Sequence, residues 1–221
     1  MPPDPSLYRW HEINDVPCKT GVYAWYCRHT LTDFDIDNLV AELSLLPPSA
    51  AKEAAARVRK FFDTNLFGPF LEQPYEATLR GPLKPTYRGT LSNSAIISAA
   101  LVDRIVADPS RLRHLKNILV DAVPSLASPI YIGMSDNLHD RLSRHKTLIA
   151  KYKSAIAHPA DEASPNDSDD PDHSFARDVV RRGFSTNALV VAIRLVEAPK
   201  SVHLDAENIL NRINYPLCGR N

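Results

Sequence analysis

Gly21-Val22-Tyr23-Ala24-Trp25-Tyr26 (GVYAWY) and, much further on, Pro129-Ile130-Tyr131-Ile132-Gly133-Met134-Ser135 (PIYIGMS) are the two stretches from which the architecture follows. Each is a short apolar run, rich in β-branched and aromatic residues, with one glycine at a boundary, and each reads as a strand. Lys19-Thr20-Gly21 is the turn signal that opens the first, which continues to Arg28. A third and longer apolar run, Ala188 to Val196, reads as a buried strand. Asp136 or Asn137 caps a helix running to about His158; a short helix from Phe175 to Arg182 is closed by Gly183; a last helix begins near Pro199 and stops before Pro216. This order predicts an α+β fold: a small three-stranded, mainly antiparallel sheet flanked by helices.

The segment 29–127 separates the first two strands and reads as an insertion, so the sheet unit is split into 1–28 and 128–221. Asp35 to Leu46, Ser49 to Asn65, Asn93 to Ala107 and Arg111 to Val123 carry helical patterns, whereas Phe67 to Leu91 is rich in Pro and Gly and reads as extended loop. Closing a long loop costs entropy that grows only with the logarithm of its length, so a strand pair tolerates such an insertion if its ends meet.

The chain has 221 residues and is 44% hydrophobic, enough for one good core plus an elaborate insertion. No apolar run reaches the roughly 20 residues of a membrane span, and MPPDPSLYRW lacks signal-peptide architecture. Cys18, Cys27 and Cys218 have neither disulfide-framework nor zinc spacing, so a reducing, cytoplasmic setting is the simplest expectation. The formal net charge is zero, but unevenly spread. The stretch 159–172 holds Asp161, Glu162, Asp167, Asp169, Asp170 and Asp172 with no Lys or Arg, leaving a net of +6 elsewhere. It reads as a flexible acidic loop without the ligand spacing of a calcium site. From Arg111 to Lys153 there are eight basic residues against three acidic ones, a segment that attracts a nucleic-acid backbone better than the average charge suggests.

On the helix after the second tyrosine strand, Leu138, Leu142, Ile149, Tyr152 and Ile156 form one stripe at 100° spacing, with His145 inside it and Arg141 at its edge. An arginine beside a buried face calls for a charge to meet, whereas a histidine there serves packing as readily as catalysis. In the last helix Val202, Ala206, Ile209 and Ile213 make the apolar stripe, with Glu207 flanking it on the side of Leu210. Taken singly, each tyrosine has a plain packing role and Glu207 that of a surface glutamate. Together, two phenols, a guanidinium, an imidazole and a carboxylate make a kit for phosphodiester cleavage, which asks for positioning and charge stabilisation.

With Gly21-Val22-Tyr23, Tyr131-Ile132-Gly133, Arg141 followed four places later by His145, and a late Glu207, the chain resembles the GIY-YIG nuclease superfamily. The first tripeptide is relaxed by one methylene. The resemblance covers residues 19–28 and 128–221 and is closest in layout to the family's restriction enzymes. It implies a DNA endonuclease, probing double-stranded DNA by sequence, that uses one Mg²⁺ (Mn²⁺ substituting) and leaves 5′-phosphate and 3′-hydroxyl ends. Tyr23 would be the general base, Glu207 the metal ligand, Arg141 the stabiliser of phosphate charge, and Tyr131 and His145 would orient water and phosphate. The family's final asparagine would be Asn221, with Asn214 and Asn211 as substitutes. One site cuts one strand, so double-strand cleavage implies a homodimer or two successive events. Arg80, Lys84 and Arg88 in the insertion's loop, and Arg111, Arg113 and Lys116 on its last helix, are the candidate DNA contacts. Two rivals stand beside this reading: a structure-selective repair or recombination nuclease, and a non-catalytic DNA-binding scaffold.

Overall fold

The computed structural model describes residues 6–71, 74–81, 84–91, 97–157, 171–197 and 200–218. The chain divides into two compact units, one comprising Met1–Thr30 with Asn117–Asn221 and the other Leu31–Lys116.

The first unit is built on four strands, β1 (Ser6–Arg9), β2 (Gly21–Cys27), β5 (Tyr131–Ser135) and β6 (Leu189–Leu195), in the order β1-β6-β2-β5 with every pair antiparallel. The two tyrosine runs are neighbours: Tyr23 lies opposite Gly133, and Trp25 opposite Tyr131. The sheet therefore has one strand more than the sequence predicts. Ser6-Leu7-Tyr8-Arg9 is too short to announce itself and is a strand because it pairs with β6. A 3₁₀ turn, Trp10–Asp15, follows it.

Along β2 the residues Gly21, Tyr23, Trp25 and Cys27 are buried, and those between them half-buried. The period of two places the aromatic pair on one face of the sheet. That face carries α5 (Leu138–Ala157) and α6 (Pro171–Arg181), which pack on each other. Leu138, Leu142, Leu148, Ile149, Phe175 and Val179 fill the core between them and the sheet. Asn137 starts α5 through its side chain, which accepts from the Asp140 backbone at 3.4 Å. Gly183 closes α6 at φ 74°, a left-handed position that glycine occupies without steric cost.

Two expectations change here. Helix α6 begins at Pro171, so Asp172 belongs to a helix and is fully buried, not part of a flexible acidic loop; residues 159–170 of that loop lie outside the described residues. Helix α7 (Lys200–Asn214) packs on β5 and β2, but by a face that keeps only Ala206 of the predicted stripe. Val202, Ile209 and Ile213 are exposed, and Leu210 and Asn214 join Ala206 in lining a cleft of about 420 Å³ against Val22, Ala24 and Ile132. Helical periodicity identifies the stripe, but not which flank of it meets the sheet.

The second unit holds α1 (Asp33–Ser44), α2 (Ala51–Phe62), α3 (Ala99–Ala107) and the start of α4 (Arg111–Asp121). Its core is Ile36, Leu39, Val58, Phe61, Phe62, Leu66, Val102, Ile105 and Leu112. The stretch read as extended loop is a two-stranded antiparallel hairpin, β3 (Tyr75–Gly81) with β4 (Lys84–Leu91). Its proline and glycine content masks the alternation, and a register shift between Leu79 and Gly81 breaks it further. Among the described residues no helix is long and apolar enough to cross a membrane.

Candidate active site

Tyr23 and Tyr131 come from adjacent strands, and their rings stack with centroids 6.1 Å apart. Gly133 makes room for this. A Cβ there would stand 2.6 Å from the Tyr23 hydroxyl and 3.0 Å from the Tyr131 ring, so any side chain would drive the phenols apart. Gly21 is equally constrained, since a Cβ would meet the Arg194 carbonyl oxygen at 2.4 Å. The two motif glycines are thus required by close approach, independently of any chemistry.

Helix α5 supplies Arg141 and His145 on consecutive turns, both facing the tyrosines. Arg141 is the centre of the arrangement. Its Nε donates to the Tyr23 hydroxyl at 3.3 Å, its Nη2 stands 2.7 Å from Asp172 Oδ1, and its charge is felt at Tyr131. Burial works against the guanidinium charge, but Tyr23, Asp172 and Tyr131 outweigh it and hold Arg141 more firmly protonated than usual.

The phenols behave otherwise than the base role requires in the free protein. Burial, followed by the neighbouring Tyr131, pushes Tyr23 well above the ordinary tyrosine range, and Arg141 offsets only part of this. Tyr131 is raised by burial as well, again opposed by Arg141. Both are neutral phenols at pH 7. Glu207 on α7 is half-buried, and burial raises its carboxyl above the usual range against the opposing pull of Arg141. Its charge is felt at Tyr131 and at Arg141, which puts the carboxylate within electrostatic range of both.

His145 is fully buried and has no nitrogen left for a substrate. Its Nδ1 receives the Trp25 indole N–H at 3.1 Å, and an indole only donates. Nε2 therefore carries the proton and donates to Asp172 Oδ1 at 2.7 Å. The expected role of orienting water or phosphate gives way to that of a strut between sheet and helix. Burial, only partly offset by Asp172, lowers its basicity, so the folded protein holds it neutral. Because the unfolded chain takes up that proton near the ordinary imidazole value and the folded chain does not, stability falls as pH drops through that range. Thermal unfolding between about pH 7.5 and 5.5 should show a steeper loss for the wild type than for His145→Gln. Parallel slopes would mean that His145 does not contribute to acid sensitivity.

Phe175 and Asp172, both on α6, complete the site and had no signal in the sequence pattern. The Phe175 ring lies 4.5 Å from Tyr131 and 4.8 Å from His145, centroid to centroid, and seals the cluster from below. Asn221 lies outside the described residues. Asn214 donates to the Leu210 carbonyl at 2.9 Å and lines the α7 cleft. Cys27 and Cys218 are packing groups, their thiols pushed up to about 12 by burial.

Among the insertion candidates, Arg80 and Arg88 are exposed on the hairpin, and the Lys84 side chain lies outside the described residues. The others have intramolecular partners: Arg111 with Asp108 at 3.4 Å, Lys116 with Asp33 at 2.7 Å, and Arg113 with Asp37. Two of these pairs tie α4 to α1. Among the described residues no three His, Cys, Asp or Glu side chains form a ready-made metal cage. Comparison with family models, curated proteins and solved structures finds no match to this chain.

Proposed function

We propose that the sheet unit hydrolyses phosphodiester bonds in DNA, as a divalent-cation-dependent endonuclease of the kind its tyrosine motifs resemble. The observation that carries this reading is the convergence of Tyr23, Tyr131 and Arg141, from β2, β5 and α5, with Glu207 of α7 within electrostatic range of Tyr131 and Arg141. A core assembled for packing alone has no need of a guanidinium bonded to a buried phenol with a half-buried carboxylate in range. Burying such groups costs free energy that ordinary apolar side chains would spare.

Glu207 is the residue that would hold the cation. A carboxylate oxygen is the donor that Mg²⁺ prefers, and one carboxylate suffices where phosphate oxygens and water complete the shell. When bound, the ion neutralises charge that develops on the phosphate. Arg141 has five N–H donors in a fixed fork, and with Nε and Nη2 held by protein it keeps further donors for a phosphate oxygen. Tyr23 acts as a base only as the phenolate, so its own proton leaves to solvent first, against the rise that burial imposes and helped by the neighbouring Arg141 charge. The phenolate then takes the proton of the attacking water. Tyr131 orients the water. In the second unit Arg80 and Arg88 on the exposed hairpin carry the DNA contacts; a two-stranded ribbon is a shape that the major groove admits. Arg111, Arg113 and Lys116 serve α4 packing first, their charges being already met.

Incubating supercoiled plasmid with the protein, with and without Mg²⁺, tests the proposal. Nicked or linear products should form only with the ion, and Tyr23→Phe should slow single-turnover cleavage by at least about 10²-fold. A protein that leaves plasmid and branched DNA intact under both conditions has no such activity.

A further inference from the structure

Asp172 is fully buried, yet no charge-neutral packing explains a carboxylate there. Its Oδ1 accepts from His145 Nε2 and from Arg141 Nη2, each at 2.7 Å, and its Oδ2 stands 3.4 Å from Arg144 Nε. We propose that Asp172 is the positioning residue of this site: its carboxylate holds the Arg141 guanidinium at the angle that aims Nε at the Tyr23 hydroxyl, and His145 anchors that carboxylate to the sheet. The inference rests on reading the cluster as a phosphodiester hydrolase.

The chain of contacts runs Trp25, His145, Asp172, Arg141, Tyr23, and begins and ends on the same strand, β2. Each link fixes the next. The indole forces His145 into its Nε2–H form, so the imidazole donates to Asp172 and does not compete with it as an acceptor. The carboxylate then has a defined place for Nη2, and a planar guanidinium held at Nη2 has its Nε direction set as well. Arginine side chains otherwise sample many rotamers, and freezing one of them before substrate arrives is what brings a phosphate-binding group to within a fraction of an ångström of its working position. Phe175, three residues on along α6, packs on Tyr131 and His145 and locks the helix turn that delivers Asp172. Asp172 also counters part of the positive charge of Arg141 and Arg144, so it limits ground-state attraction for phosphate while improving geometry.

That combination separates Asp172 from a merely structural acid. Asp172→Asn keeps the volume and an oxygen for His145 but loses the charge that fixes Arg141. Single-turnover cleavage should fall about 10²-fold, the cost of a misplaced catalytic group, while DNA binding measured in Ca²⁺ holds or tightens. In an Arg141→Ala background the same substitution should change the rate by less than about twofold, because the residue through which it acts is gone. An unchanged rate in Asp172→Asn, or an equal loss in both backgrounds, overturns the proposal. A wild type that cuts no DNA removes the nuclease reading alone. Positioning is then read from the Arg141 Nε–Hε resonance, identified by its disappearance in Arg141→Lys. It should exchange slowly with solvent in the wild type and fast in Asp172→Asn, and identical exchange overturns the role. If Asp172→Asn fails to fold, Asp172→Glu, which keeps the charge and displaces it by one methylene, carries the same rate and exchange measurements.

Discussion

Glu207→Gln should abolish Mg²⁺-dependent cleavage, by at least about 10³-fold, while leaving the fold and most DNA affinity in place. The substitution removes the negative charge and almost no volume. The stability arm has a definite sign. Burial raises the Glu207 carboxyl above its unfolded value, so the protonated form is the one the fold favours. The stability this contributes is fully present below the unfolded pKa and is lost as pH rises through the folded one. Glutamine suffers no such loss. At neutral pH the variant should therefore melt at the wild-type temperature or slightly above it, with the gap closing on acidification. A dead, well-folded variant with intact binding in Ca²⁺ is the expected pattern. Cutting at near wild-type rate would remove Glu207 from the chemistry and with it the proposed cation site.

Arg141→Ala should be nearly as damaging, lowering single-turnover cleavage by about 10²–10³-fold. Arg141 touches Tyr23 and Asp172 and its charge is felt at Tyr131, so its loss strips both phenols of their cation and leaves the buried Asp172 carboxylate without one of its partners. Removing one side of a fully buried ion pair destabilises by about 3–5 kcal/mol; Arg141 is 28% exposed and Asp172 keeps His145 and Arg144, so the loss is smaller, but a lowered unfolding temperature should accompany the kinetic loss. Arg141→Lys separates the two effects. It keeps a charge for Asp172 and restores much of the stability, but it lacks the planar fork and should recover little of the rate. A lysine variant with full activity would reduce Arg141 to a point charge. A loss confined to DNA affinity, with normal turnover of bound substrate, would place it among the backbone contacts.

Local chemistry made much of the first unit legible. Strands β2, β5 and β6 are runs of β-branched and aromatic residues between turn signals, α5 starts where Asn137 caps it, and α6 ends where Gly183 stops it. These are properties of a residue and its near neighbours, so one sequence suffices to read them. β1 and the β3–β4 hairpin escaped for the opposite reason. Four residues, or a stretch broken by prolines and glycines, become strands through hydrogen bonds to a partner that local propensity does not represent.

Tyr23, Tyr131, Arg141 and Glu207 stood out as candidates before any fold was known, because an ordered set of unusual residue types is visible even when each member alone is ambiguous. What those groups do to one another is a property of the folded chain. Folding opposed Tyr23 to Gly133 across the sheet, raised the phenols through burial, and withdrew His145 from any substrate by occupying both its nitrogens. It also turned Asp172, whose neighbours in sequence are solvent-loving acids, into the buried anchor of Arg141. Composition averages over a segment, whereas burial and ion pairing act on one side chain at a time, and they depend on residues distant in the chain that folding brings within hydrogen-bond reach.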